Sequence, residues 1–136
     1  MPSQNASPAV KQPQRQRGRD RVAGLLAAAA DVFAEKGYDA ATMTEIAARA
    51  GASIGSLYQF FPTKELLTEA LHAGQVEAMS QMLDALLVEL RGLQPAVLGD
   101  RLFAALEDFL AARPSYAVLT ARHRPDPERK RVMRPR

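Results

Sequence analysis

The sequence predicts an all-α protein: a three-helix unit containing a helix-turn-helix, then a long connecting helix and a partial helical domain. Three observations support this. Apolar residues recur at three- and four-residue steps from Val22 to Leu119, the period of helices that bury one face. Helix start and stop signals at Thr42, Gly51, Ser53, Pro62 and Thr63 fall between the periodic runs. No segment shows convincing strand character.

The elements follow in order. Residues 1–18 are rich in Gln, Pro, Ser and Asn and lack any period, so a disordered basic arm is expected there. From Arg19 onward Val22, Leu25, Leu26, Ala29, Val32 and Phe33 share one helical face, and the helix closes at Lys36-Gly37. There Lys36 suits the negative end of the helix dipole, and Gly37 can take the left-handed cap. Thr42-Met43-Thr44-Glu45 has capping-box spacing and opens a short second helix that Gly51 interrupts. Ser53 caps a third helix, from Ile54 to about Phe61, and Pro62 ends it.

A long fourth helix follows Thr63 and runs toward Gly92, with Leu66, Leu67, Leu71, Met82, Leu86 and Leu87 at inward spacing. A fifth spans Pro95 to Ala112 with Leu98, Leu102, Leu106 and Phe109 inward. Pro114 opens a short sixth. The domain boundaries implied are 19–79 for the helix-turn-helix unit (motif 42–61), 80–122 for a partial ligand-binding or dimerisation domain, and 123–136 for a basic, disordered tail.

Composition excludes several classes. The chain has 136 residues and no Cys, which rules out disulfides and thiolate metal sites and fits a cytoplasmic protein. The longest apolar run near the N-terminus, Val22 to Ala30, is too short for a membrane span, so no membrane partner is expected. His72 and His123 lie far apart without ligand-like neighbours, so neither a metal nor a cofactor is expected. No nucleophile, base and orienting group assemble into an enzyme site. The net charge of +3 conceals a division. Residues 1–21 hold five basic groups against Asp20 alone, and 122–136 hold seven against Asp126 and Glu128, while 22–121 carry twelve acidic and six basic groups. Basic ends on an acidic body suit a polyanionic partner.

The helix-turn-helix carries the chemistry. A small residue at Ala47 allows close helix crossing, Gly51 supplies a left-handed turn without a Cβ clash, and Leu57 and Phe61 point back into the core. The opposite face then presents Gly55, Ser56 and Gln59, groups small or polar enough to lie deep in a major groove. Thr42, Ser53, Tyr58 and Lys64 sit at helix ends or flanks, within reach of phosphates. Lys64 lies in the first turn of its helix, where the dipole disfavours a cation, which points to a functional reason for it.

The run from Thr42 to Phe61, followed by Pro62-Thr63-Lys64-Glu65-Leu66 and preceded by Phe33-Ala-Glu-Lys-Gly-Tyr38, closely resembles the DNA-binding segment of the TetR family of transcriptional regulators. The resemblance is strong over about Arg19 to Leu71 and generic beyond. It implies a double-stranded DNA operator as partner and, most often, a repressor relieved by a small-molecule effector. By position, Thr42, Tyr58 and Lys64 would hold phosphates while Ser56 and Gln59 face bases. Ile54 stands where such proteins often carry Lys, and Phe60 where His or Tyr is frequent, so two polar contacts are missing. The basic arm is expected to compensate along the DNA backbone.

Such proteins usually continue through further helices that complete an effector pocket and a two-helix dimer surface. The sequence therefore reads as a shortened regulator whose homodimer would be weakened. The competing reading is a helical interaction protein, or a non-functional fragment, with weak or no DNA binding of its own.

Overall fold

The computed structural model describes residues 6–122, with side chains from Arg15 onward. Six helices occupy them: α1 Ala6–Lys36, α2 Met43–Arg49, α3 Ile54–Phe60, α4 Lys64–Glu89, α5 Pro95–Ala112 and α6 Ser115–Arg122. No strand occurs among the described residues, and the fold is all-α. The chain divides into two compact units, Met1–Leu71 and His72–Arg136.

The first helix starts well before the expected boundary. A disordered arm over residues 1–18 was the expectation, yet α1 is already helical from Ala6. The extension shows no regular apolar period in the sequence, so spacing does not mark it. Its Ala, Lys, Gln and Arg residues are nevertheless good helix formers, and lengthening an anchored helix avoids the cost of nucleation. The expected tail over 123–136 lies outside the described residues.

The first unit is held by one stripe of α1. Leu25, Ala28, Ala29, Val32 and Phe33 are all buried, and α1 ends at Gly37, whose φ of 79° carries the backbone N–H to the Phe33 carbonyl at 2.8 Å. Ile46 and Ala47 of α2 and Leu57 of α3 are buried as well. Between α2 and α3 the chain makes a Schellman turn: Ala52 N–H donates to Ala47 O at 3.0 Å and Gly51 N–H to Ala48 O at 3.1 Å, with Gly51 at φ 66°. That pair of bonds satisfies carbonyls at the end of α2 and reverses the chain within three residues. Two short helices are thereby set at a fixed angle without a long loop.

Two ion pairs join α1 to α2. Arg49 forks onto Glu35, Nη1 to Oε1 at 2.9 Å and Nη2 to Oε2 at 2.7 Å. Lys36 Nζ lies 2.5 Å from Glu45 Oε2. The Arg49 fork holds the Glu35 carboxyl below the ordinary carboxylate range, and the hydrogen bond from Lys36 does the same for Glu45. Both pairs are substantially exposed, so each contributes little to stability on its own.

In the second unit the buried residues are fewer. Leu90, Phe109 and Leu119 are buried, along with the polar pair Gln75 and Ser115, where Gln75 Nε2 donates to Ser115 Oγ at 2.7 Å. Phe109 meets Tyr116 edge-on with ring centroids 5.6 Å apart, and the Arg113 guanidinium lies over the Phe109 ring, 4.3 Å from its centroid. Two residues at inward spacing in this unit, Leu87 and Leu102, are instead exposed, as is Leu66 in the first unit. Helical spacing identifies a shared face but not whether a neighbour covers it, and Leu87, at 66% exposed, has none.

Two predictions follow from this packing. Gly51→Ala meets no neighbouring atom, so its cost is backbone strain alone, about 1–2 kcal/mol by urea denaturation. Glu35 and Glu45 have lowered folded-state pKa values, so the unfolded chain binds more protons in acid. Their contribution is present above about 4.5, the ordinary carboxyl value, and is lost as pH falls through the lower folded values. A Glu35→Gln, Glu45→Gln variant should show a shallower loss of stability below that pH in the same assay.

Candidate nucleic-acid interface

Helix α3 is seven residues long, and one buried anchor sets its rotation. Leu57 is 0% exposed, while Gly55, Tyr58 and Gln59 all lie on exposed positions. Ser53 caps the helix, its Oγ accepting from Ser56 N–H at 3.1 Å. Thr42 does the same for α2, accepting from Glu45 N–H at 3.2 Å, and both cap residues remain exposed. Five of the expected residues, Thr42, Ser53, Gly55, Tyr58 and Gln59, are therefore accessible on the helix-turn-helix.

The other two are placed differently. Ser56 is half-buried, and its hydroxyl oxygen is screened from solvent without a hydrogen-bond partner. It lines an open cleft beside α1 rather than standing with Gln59 on the outer face. Lys64 was expected to be free for phosphate. Its ammonium instead donates to the Tyr38 carbonyl and sits 4.2 Å from the Tyr38 ring centroid. The cation's unfavourable position in the first turn of α4 is explained by this clamp, which ties the α1–α2 connection to the start of α4. Ile54 is partly buried, at 40% exposed. Phe61, expected in the core, is half-buried.

Sequence reasoning counted two further residues only as part of the basic N-terminal stretch and did not single them out. Arg17 and Arg21 of α1 line the cleft with Gly24, Gly51, Ser53 and Ser56, a space of about 570 Å³. They also line a smaller one with Phe60. The signal was legible: Arg17 and Arg21 precede Leu25 at four-residue steps and so continue the buried stripe of α1 upstream. It went unread because the helix was expected to start only at Arg19.

A short capped helix presented across a glycine turn, with its inner side anchored and its outer side uncharged, defines a helix-turn-helix protein. Residues 25–71 match the model for bacterial regulatory proteins of the tetR family, and over that stretch the N-terminal unit is similar to that family. The HTH-type transcriptional activator FasR of Mycolicibacterium smegmatis (strain ATCC 700084 / mc(2)155) is 53% identical over 45 residues, 33% of this chain and 20% of that protein. The crystal structure of a gamma-butyrolactone receptor, an ArpA-like protein, superposes with a TM-score of 0.68 at 28% identity. That match covers 82% of this chain and 57% of the receptor. The chain thus matches one fifth of the first relative's length and little over half of the second's.

The contrast between Tyr58 and Lys64 is testable. Tyr58→Phe removes one neutral hydroxyl and should weaken binding to every duplex by a similar factor, about 1 kcal/mol, leaving the salt dependence unchanged. Lys64→Ala should lower chain stability on the order of 1–2 kcal/mol and leave the salt slope nearly intact. Denaturation curves and binding isotherms at several salt concentrations measure both. A salt slope reduced by about 0.9 in Lys64→Ala would return that residue to the phosphates.

Proposed function

We propose that this chain is a sequence-specific DNA-binding transcriptional regulator that reads the major groove with α3. The observation that carries this is the asymmetry of α3: Leu57 is fully buried while Gly55, Tyr58 and Gln59 are turned outward. Gly55 lets the helix backbone approach the groove floor, and the Gln59 amide offers both a donor and an acceptor to a base edge. Thr42, Ser53 and Tyr58 flank that face and would meet phosphates, and Ser56 stands behind it. Phosphate contacts of this kind fix orientation, while the Gln59 contact selects sequence.

The regulator would act as a repressor relieved by a small molecule bound in the second unit. There Gln75 Oε1 and Thr120 Oγ1 are buried without hydrogen-bond partners, polar handles of the kind that orient a mostly apolar ligand. The similar structure is that of a gamma-butyrolactone receptor, which supports a small organic effector. The similar FasR is an activator, so the sign of regulation needs a direct test. The exposed Leu87, Val88, Phe103 and Leu110 favour a second copy as partner, since two half-sites read together bind far better than one.

Selection of duplexes from a randomised library by the 136-residue chain is the decisive experiment. An enriched site is expected, and recovery of no preferred sequence would leave only the interaction-protein reading. Placed next to a promoter, the enriched site should lower reporter expression when the chain is present; raised expression would make it an activator. On that site Gln59→Ala should relax discrimination at one or two base pairs, with a loss of about 1–3 kcal/mol. An equal loss on every sequence would make Gln59 a positioning residue.

A further inference from the structure

The cations around α3 are nearly all engaged. Between Val22 and Leu71 the chain carries only Lys36, Arg49 and Lys64 as cations. Lys36 pairs with Glu45, Arg49 with Glu35, and Lys64 with the Tyr38 carbonyl and ring. Helix α3 itself, IGSLYQF, carries no charge. A helix that is to lie against a polyanion therefore has no cation of its own and none free on α2 or at the start of α4.

The inner stripe of α1 supplies what is missing. Downstream it is apolar and buried through Leu25, Ala28 and Val32. One and two turns upstream the same stripe becomes Arg21 and Arg17, both exposed. These two line the cleft at Ser53 and Ser56, near the start of α3, and the space beside Phe60 at its end. Asp20 also lines the cleft and accepts from Gln16 Nε2 at 2.9 Å, so the local balance is two cations against one carboxylate. A guanidinium presents its N–H groups in a fork that suits phosphate oxygens. The half-buried Ser56 residue lines the cleft, its hydroxyl oxygen screened from solvent and without a hydrogen-bond partner.

We propose that Arg17 and Arg21 form a phosphate clamp on the DNA backbone next to the groove that α3 occupies. This rests on the DNA-binding reading and extends it. Sequence would be read by the uncharged α3, and electrostatic affinity would come mainly from α1. The clamp takes over the role first expected of Lys64 and offsets the absence of a cation at Ile54.

The test uses the full chain and the duplex enriched from the randomised library, with two double variants of equal charge change. Arg17→Gln with Arg21→Gln removes the clamp. Arg15→Gln with Arg19→Gln removes two charges from roughly the opposite side of α1. The first should lower the slope of log affinity against log salt by roughly 1.8, about 0.9 for each phosphate, with the base preference unchanged. The second should change the slope much less. Equal effects would mean diffuse attraction, and an unchanged slope in the first variant would mean no contact; either overturns the clamp.

Side-chain Nε–H resonances of Arg17 and Arg21 give an independent reading. They should shift on adding the duplex, and far less with inorganic phosphate at matched ionic strength. A shift with inorganic phosphate but none with duplex would make the cleft a free-anion site and overturn the proposal. If the library yields no duplex at all, the DNA-binding reading itself fails, an outcome distinct from failure of the clamp.

Discussion

Burial of Leu57 is the constraint on which the rest of the first unit depends. A helix of seven residues makes too few internal hydrogen bonds to persist alone, so α3 exists because one side of it is held. With Leu57 fully enclosed, the rotational phase of the helix is fixed, and the residues around it are distributed outward by geometry. Ser53 and the Schellman turn at Gly51 then fix where α3 begins. Position and phase together determine which atoms face a partner. Neither is set by the exposed residues themselves, so the outer face can vary while the scaffold stays put.

Charge is organised by the same packing. The body of the chain is acidic, and the few cations between α1 and α4 are occupied in holding elements together: Arg49 and Lys36 brace α2 against the end of α1, and Lys64 fastens the α1–α2 connection. These groups contribute modest stability, but their engagement leaves the presented helix electrically neutral. On the DNA-binding reading, attraction to a polyanion beside this helix would come mainly from the basic residues of α1, and selectivity and affinity would then reside on different helices.

The second unit follows a different balance. A buried hydrogen bond between Gln75 and Ser115 costs desolvation of two polar groups and gains a fixed orientation of the start of α6 against the middle of α4. Around it the apolar enclosure is thin, and Leu87, Val88 and Phe103 are each more than 60% exposed. Apolar residues exposed in this density mark a surface built for contact. Buried polar atoms without partners, at Gln75 and Thr120, mark an interior that is not self-sufficient either.

The sequence by itself determined the helical class, the glycine turn, both serine and threonine caps and the extent of α5, because each depends on local backbone chemistry within a few residues. The outward placement of Tyr58 and Gln59 was legible too, since one anchored leucine and the helical period suffice to place them. What only the tertiary structure decided was which polar groups are already spoken for. Lys64 reads as a free cation until the Tyr38 carbonyl, 26 residues away, is brought beside it. Ser56 reads as a groove contact until α1 is seen alongside. Arg17 and Arg21 gain meaning only once α1 continues past Arg19 and passes the flank of α3. In each case the deciding contact joins residues distant in the chain. No local pattern encodes such a contact, because it comes into being only when the elements pack.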